Sequence, residues 1–316
     1  MPVNENWRGA LTDSKCVQIE ADCFDLEQIM ESGQCFRIYR IKKEASGSGL
    51  YRATAADKTV LILEEKCENA NAALHNASEK NLPSKKVSLD TIQSHRITFF
   101  CSETEYDTFW CHYFDLDADY RKYQQAIDPS DEYLKSAFLY GSGIRILNQD
   151  PWEMLITFII SQRKNIPAIR QAVEGLSRTC GKCIDEENEI YAFPTPDELA
   201  SLSLSRLQEL SLGYRAKYIY DTAKKVASDE INLKKWAELN DSELHKALLS
   251  CYGVGEKVAN CVALFGYHRI GAFPVDVWID RIQKEHYNGH FPIEQYQGFA
   301  GVMQQYMFYY QRNHQK

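Results

Sequence analysis

Lys257 and Asp276 stand nineteen residues apart, each just inside a turn that opens a helical pattern. The first lies in Cys251-Tyr252-Gly253-Val254-Gly255-Glu256-Lys257-Val258-Ala259-Asn260-Cys261, the second in Phe273-Pro274-Val275-Asp276-Val277-Trp278. Gly253 and Gly255 can adopt φ > 0 and carry no Cβ, so a tight turn there brings its backbone close to another molecule. The N–H groups at the following helix start are free and carry the positive end of the helix dipole, which makes a seat for a phosphate. A cation is disfavoured at that end and among Val254, Val258 and Ala259, which leaves Lys257 available as a neutral amine nucleophile. Asp276 is an acceptor that stabilises a developing cation. A phosphate seat, an amine and a carboxylate point together to chemistry on a sugar–phosphate substrate. Taken singly, each feature has a plain use: a glycine pair makes any inter-helix turn, a lysine is solvated, and an aspartate after Pro-Val caps a helix.

At 316 residues the chain is long enough for two or three domains with a sizeable core. Its start, Met-Pro-Val-Asn-Glu-Asn-Trp, lacks the apolar run of a signal peptide, and the apolar run near Leu155 to Ile160 is far too short to span a bilayer. The expectation is a cytoplasmic protein, nucleoid-associated if bacterial, without membrane contact. Ten scattered cysteines then read as reduced thiols, and Cys180-x-x-Cys183 has no second pair at zinc spacing. A net charge of −8 argues against a general nucleic-acid binder but leaves room for a local positive face. Arg163, Lys164, Arg215, Lys217 and Lys257 are its expected members.

The positioning elements follow from the period of the pattern. Up to about residue 103 the chain reads as strand-rich, with strands at 16–21, 34–41, 50–55, 59–64 and 96–100 and a short helix at 24–32. Residues 65–95 are polar and rich in Asn, Ser and Lys, a long surface insertion. From Thr104 the period becomes helical. Asp150-Pro151-Trp152-Glu153 and Thr195-Pro196-Asp197-Glu198 are helix starts by N-cap, N1 proline and N3 acid. Helices are expected at 151–161, 166–179, 203–210, 214–228, 242–250, 256–266, 276–286 and 295–310. The fold class is α+β: a small antiparallel sheet domain over 1–128, then an all-helical domain over 129–316.

The hairpin, the lysine and the Pro-Val-Asp-Val at this separation resemble the helix–hairpin–helix DNA glycosylases, and more closely the 8-oxoguanine DNA glycosylase/lyase branch, bacterial type. The resemblance covers residues 16 to 310 and fades in the insertion. It implies that Lys257 attacks C1′ of a flipped nucleotide while Asp276 assists. Gly253, Val254 and Gly255 become the hairpin that holds the DNA backbone. Ser32-Gly33-Gln34-Cys35-Phe36-Arg37 matches the family's N-terminal signature, in which a glycine carbonyl, here Gly33, accepts the extra N7–H of 8-oxoguanine. One such bond in a desolvated pocket discriminates by a few kcal/mol at most. Cys261, Gln304 and Phe308 match the residues that pack on, read and stack on the base. Gln304 and Phe308, four apart, share a helix face. In Leu212-Gly213-Tyr214-Arg215-Ala216-Lys217-Tyr218, Tyr214 matches the wedge and Arg215 the arm to the orphaned cytosine.

Departures from the family are also legible. Gln162-Arg163-Lys164-Asn165 stands where animal members carry an asparagine run, Ala168 where they have a second cytosine-reading arginine, and Trp278 where they have a histidine. Weaker discrimination of the opposite base is the expectation. The implied partner is damaged double-stranded DNA, bound by a monomer. No cofactor is implied, since no cysteine follows Cys261 to ligate an iron–sulfur cluster; a monovalent cation at the hairpin is compatible with the pattern. An alkylpurine glycosylase of the same fold would hydrolyse without a lysine nucleophile, and a non-catalytic DNA-structure-binding protein would leave the Lys257–Asp276 pairing without a use.

Overall fold

The computed structural model describes residues 15–44, 47–67 and 94–314. Most of the expected insertion, residues 68–93, lies outside the described residues. Five strands, β1 (Val17–Ala21), β2 (Ile38–Lys43), β3 (Gly49–Ala55), β4 (Lys58–Lys66) and β5 (His95–Phe100), form one sheet in the order β1-β5-β4-β3-β2. Every neighbouring pair is antiparallel. Residues two apart on a strand point to the same face, and one face of the sheet is turned to the core. Ile38, Ala53, Val60, Ile62, Ile97 and Phe99 pack there on Leu26, Ile29 and Met30 of the short Leu26–Glu31 helix and on Trp110, Tyr113 and Phe114. Buried Glu64 ties β4 to that helix, accepting from Leu26 N at 3.2 Å and meeting His95 Nδ1 at 2.6 Å. Burial raises the Glu64 carboxyl above its ordinary range.

Beyond residue 103 the described chain is almost entirely helical, apart from a small hairpin of Cys183–Asp185 and Ile190–Tyr191. Its core centres on the Pro151–Ser161 helix, of which only Pro151 is not buried. Asp150 caps that helix, accepting from Glu153 N at 2.9 Å, as its sequence grammar implies. The expected helices at 151–161 and 256–266 have those bounds.

Three expectations are corrected. The 34–41 strand begins only at Ile38, because the Gln34 side chain is buried and bonded to other segments. The 295–310 helix is two pieces, a turn at Ile293–Tyr296 and a helix at Ala300–His314, separated by Gly298 at φ +88. A helix at Glu132–Gly141, capped by Asp131, has no counterpart in the pattern reading. It packs along the C-terminal helix, with Phe138 set edge-on to Tyr306 at 5.2 Å.

Two buried polar side chains lock the sheet to the helices. Gln34 Nε2 donates to Arg145 O (2.8 Å), Gln34 Oε1 accepts from Leu147 N (2.9 Å), and Gln34 O accepts from Gln149 Nε2 (2.9 Å). Arg145 in turn donates to the carbonyls of Asp22, Cys23, Asp115 and Ala118 and stacks over Tyr120. Such bonds are strongly favoured once buried, since an unmade one leaves a desolvated polar group. Their consequence is local: the turn that carries Gly33 is held rigidly against the helical core.

Candidate active site and nucleic-acid interface

Helices Asp241–Leu249 and Glu256–Gly266 flank a tight turn, the expected hairpin. Gly253 has φ +80, and a Cβ there would sit 2.3 Å from the Tyr218 ring, so the position requires glycine twice over. Gly255 departs from the φ > 0 expectation. It is extended at φ −107, caps the second helix, and has open space where a side chain would point. Val254 is buried, and Gln162 Nε2 donates to Gly253 O at 3.1 Å, joining the hairpin to the end of the Pro151–Ser161 helix. Glu256, the acid in the first turn, turns away to His245 Nε2 at 2.8 Å.

In the helix's first turn, half-buried Lys257 projects into a cavity lined also by Ser32, Gly33, Phe158, Cys261, Phe265, Pro274, Asp276, Gln304, Gln305 and Phe308. Six residues expected from the sequence, Gly33, Lys257, Cys261, Asp276, Gln304 and Phe308, thus line one cavity although they come from four separate segments. The Lys257 Nζ lies 5.4 Å from the Phe158 ring centroid, so its floor is aromatic. Asp276 caps the Val277–His286 helix through Oδ1 alone, which accepts from Trp278 N and Ile279 N at 3.0 Å each. The second carboxylate oxygen is not spent on the cap. Buried Cys261 completes this wall. Burial pushes its thiol up, Lys257 beside it opposes, and Asp276 adds to the rise, so the sulfur stays a neutral thiol.

Gly33 sits at φ +79 with the Phe308 ring 3.1 Å from where a Cβ would stand. The cavity is only about 40 Å³, against roughly 300–1,000 Å³ for sites that hold whole ligands. The Phe308 ring closes the cavity against Gly33, and in this arrangement the cavity is too small for a purine. Sequence reading missed Phe158, Phe265, Pro274 and Gln305; the first two are buried helix residues indistinguishable by pattern from other core aromatics.

Outside the cavity, Tyr214 is 51% exposed, Tyr252 43%, Val275 42% and Val277 77%; these are four of the six exposed large apolar side chains among the described residues. All four flank the mouth-forming segments, and the sequence reading had given a role only to Tyr214. Tyr214, Tyr218 and Tyr252 form an edge-on ladder with centroids 5.7 and 4.7 Å apart. Lys217 Nζ lies over Tyr252 at 5.6 Å. Arg163 is exposed and held at φ +51, a costly backbone for a long side chain. Lys164 reaches Ser211 O at 3.2 Å, and Asn165 spends its Oδ1 on capping at Ala168 N, 2.9 Å away. Half-buried Trp278 carries the Arg281 guanidinium 5.5 Å from its ring.

Arg215 is drawn inward in the chain without DNA. Expected as an arm reaching toward DNA, it is 7% exposed and turned inward, donating to the carbonyls of Leu212 and Gln162 beneath the Tyr214 ring. In this arrangement it braces the loop that carries Arg163 and Asn165.

Residues 16–155 match the family model for the 8-oxoguanine DNA glycosylase N-terminal domain, and residues 156–292 the model for HhH-GPD superfamily base excision DNA repair proteins. The fold is similar to a solved structure of MBOgg1 in complex with a low affinity DNA ligand: 34% identity, TM-score 0.77, covering 96% of this chain and 100% of that one. It is similar also to Clostridium acetobutylicum 8-oxoguanine glycosylase/lyase in complex with double-stranded DNA containing cytosine opposite 8-oxoG. There the identity is 30% and the TM-score 0.77, over 96% of this chain and 100% of that one. The N-glycosylase/DNA lyase of Saccharomyces cerevisiae is 40% identical over 191 residues, 55% of this chain. That match spans 50% of the yeast protein's length. Among the described residues no helix is long and apolar enough to cross a membrane.

Proposed function

This chain belongs to the 8-oxoguanine DNA glycosylase/lyase family of HhH-GPD base-excision-repair proteins, and from that premise we propose that it excises 8-oxoguanine and related oxidised purines from duplex DNA and then nicks the strand. The observation that carries the proposal is the cavity itself. An amine, a carboxylate not fully spent on its cap, a left-handed glycine, a neutral thiol, an amide and a half-buried aromatic ring face one another there.

The damaged nucleotide leaves the stack, because C1′ is unreachable within the duplex. Tyr214 stands at the surface to fill the gap, and Gly253, Val254 and Gly255 seat a backbone phosphate. Phe308 yields to the base and stacks on it, Cys261 packs on the opposite face, and the Gly33 carbonyl accepts the lesion's N7–H. The Lys257 amine attacks C1′ while Asp276 stabilises the positive charge that develops there. The C1′–N9 bond breaks with its electron pair passing to the base, and the amine's proton is lost as the base is protonated. The nitrogen's lone pair then forms the C1′=N bond and expels O4′, which takes up a proton as the sugar ring opens to a Schiff base. Loss of a proton at C2′ then expels the 3′ phosphate by β-elimination.

Amine and carboxylate suffice for this sequence, so no cofactor is assigned a step. The hairpin carbonyls offer a seat for a monovalent cation against the DNA phosphate. The chain would act as a monomer on damaged double-stranded DNA, in the cytoplasm or on a nucleoid, with contacts to the opposite base from Arg163, Lys164, Asn165 and, if it unfolds outward, Arg215. Alkylpurine hydrolysis gives Lys257 no task, and passive DNA binding gives none to the cavity. The test is a labelled duplex carrying one 8-oxoguanine: strand cleavage at the lesion supports the proposal, and DNA binding without turnover on any oxidised or methylated duplex defeats it.

A further inference from the structure

Beside Gln304 in the cavity wall stands a second glutamine that the family pattern does not call on. Gln304 is 3% exposed and Gln305 4%, on one helix turn. Gln305 Nε2 donates to Gln304 Oε1 at 2.9 Å. That bond engages the oxygen of Gln304 and none of its N–H groups. Gln305 Oε1 is itself buried and has no hydrogen-bond partner among the described residues. A buried amide oxygen without a donor is costly to maintain for stability alone. Gln305 lines the cavity that Lys257 and Asp276 share.

Resting on the function proposed above, we infer that Gln304 and Gln305 act as one donor–acceptor reader of the flipped purine. Gln304 Nε2 donates to the carbonyl O6, and Gln305 Oε1 accepts from the adjacent N1–H. A 6-oxopurine presents this acceptor–donor pair on neighbouring atoms, and a 6-aminopurine presents the reverse. Gln305 has two tasks: it positions the amide of Gln304, and it supplies the acceptor that Gln304 has given up. The selected class is therefore oxidised guanines over oxidised adenines.

The experiment compares wild type, Gln304→Met, Gln305→Met and the double variant, with Gln305→Asn as a second variant should Gln305→Met fail to fold. Each is assayed for excision of 8-oxoguanine, excision of 8-oxoadenine, and strand cleavage at a pre-formed abasic site, which contains no base to read. In Gln305→Met the ratio of 8-oxoguanine excision to abasic-site cleavage falls about tenfold, as for one lost buried hydrogen bond. The preference for 8-oxoguanine over 8-oxoadenine falls with it. The double variant loses little beyond Gln304→Met, because the pair works as a unit. Equal loss of excision and abasic-site cleavage, an unchanged ratio, or fully additive losses overturns the inference while leaving the proposed function intact. A wild-type chain that acts on none of the three duplexes defeats the proposed function, and the inference with it.

Discussion

The Phe308 ring lies 3.1 Å from the position a Cβ on Gly33 would occupy, so residues from opposite ends of the chain close the cavity against each other. Gly33 is fixed by the buried bonds of Gln34, whereas Phe308 is half-buried on a helix flank under the Arg312 guanidinium, 5.8 Å from its ring. Of the two walls, the phenylalanine is the less firmly held.

Gly33→Ala tests this. The added methyl meets Phe308 and must also accept φ +79, a backbone that L side chains rarely adopt. Base excision is expected to fall at least tenfold, with a melting-temperature loss of the few degrees that follow from roughly 1 kcal/mol of strain. Excision kinetics and a melt measured together check it. Full activity would mean that the turn does not border the bound base.

Asp276→Asn separates the two tasks of that side chain. Asparagine caps a helix about as well as aspartate, and the cap uses only Oδ1. Stability should hold within about 0.5 kcal/mol, while single-turnover excision falls on the order of 10²-fold through lost charge stabilisation. Comparable losses in both would assign Asp276 a purely structural role.

Gly253→Ala should damage the hairpin. The Cβ would lie 2.3 Å from Tyr218, a ring already held between Tyr214 and Tyr252, at a position with φ +80. The Tyr218 ring must move, and affinity for an uncleavable abasic-site duplex should weaken. Titration by fluorescence anisotropy reads this directly; unaltered affinity would remove the hairpin from the DNA interface.

Glu153 predicts a pH effect. Burial pushes its carboxyl up to about 7 from 4.5, with Arg37 opposing and Asp150 and Glu174 adding to the rise. Below about 4.5 the group is protonated in both folded and unfolded chains and costs nothing. As pH rises through about 7 the folded chain must ionise it, so that contribution to stability is lost. At roughly 1.36 kcal/mol per unit, the loss is about 3 kcal/mol at most. Glu153→Gln removes the term. Its melting temperature should gain on wild type between pH 5 and pH 8, and a constant difference would contradict the assignment.

Most of the site was legible because its parts sit at special local positions. Gly253 and Gly33 need a left-handed backbone, Lys257 follows a helix start, and Asp276 follows a proline, and each constraint is written within a few residues. What escaped was set by packing between distant segments. Phe158 looks like any core aromatic until the fold puts it under Lys257. The inward turn of Arg215 depends on the Gln162 carbonyl, 53 residues away. The helix at Glu132–Gly141 has an ordinary aspartate cap, and its apolar face became meaningful only against the C-terminal helix. The early start given to β2 shows the same limit, since residues 34–37 are all buried and Gln34 serves hydrogen bonds to distant segments rather than a ladder.

The central claim is that Lys257 forms the covalent bond to the sugar. Incubating the protein with an 8-oxoguanine duplex and sodium borohydride should reduce the Schiff base and yield a stable protein–DNA adduct, whose peptide map places the linkage on Lys257. Lys257→Gln should yield none while still binding the duplex. Adduct formed undiminished by that variant, or mapped to another residue, would contradict the account.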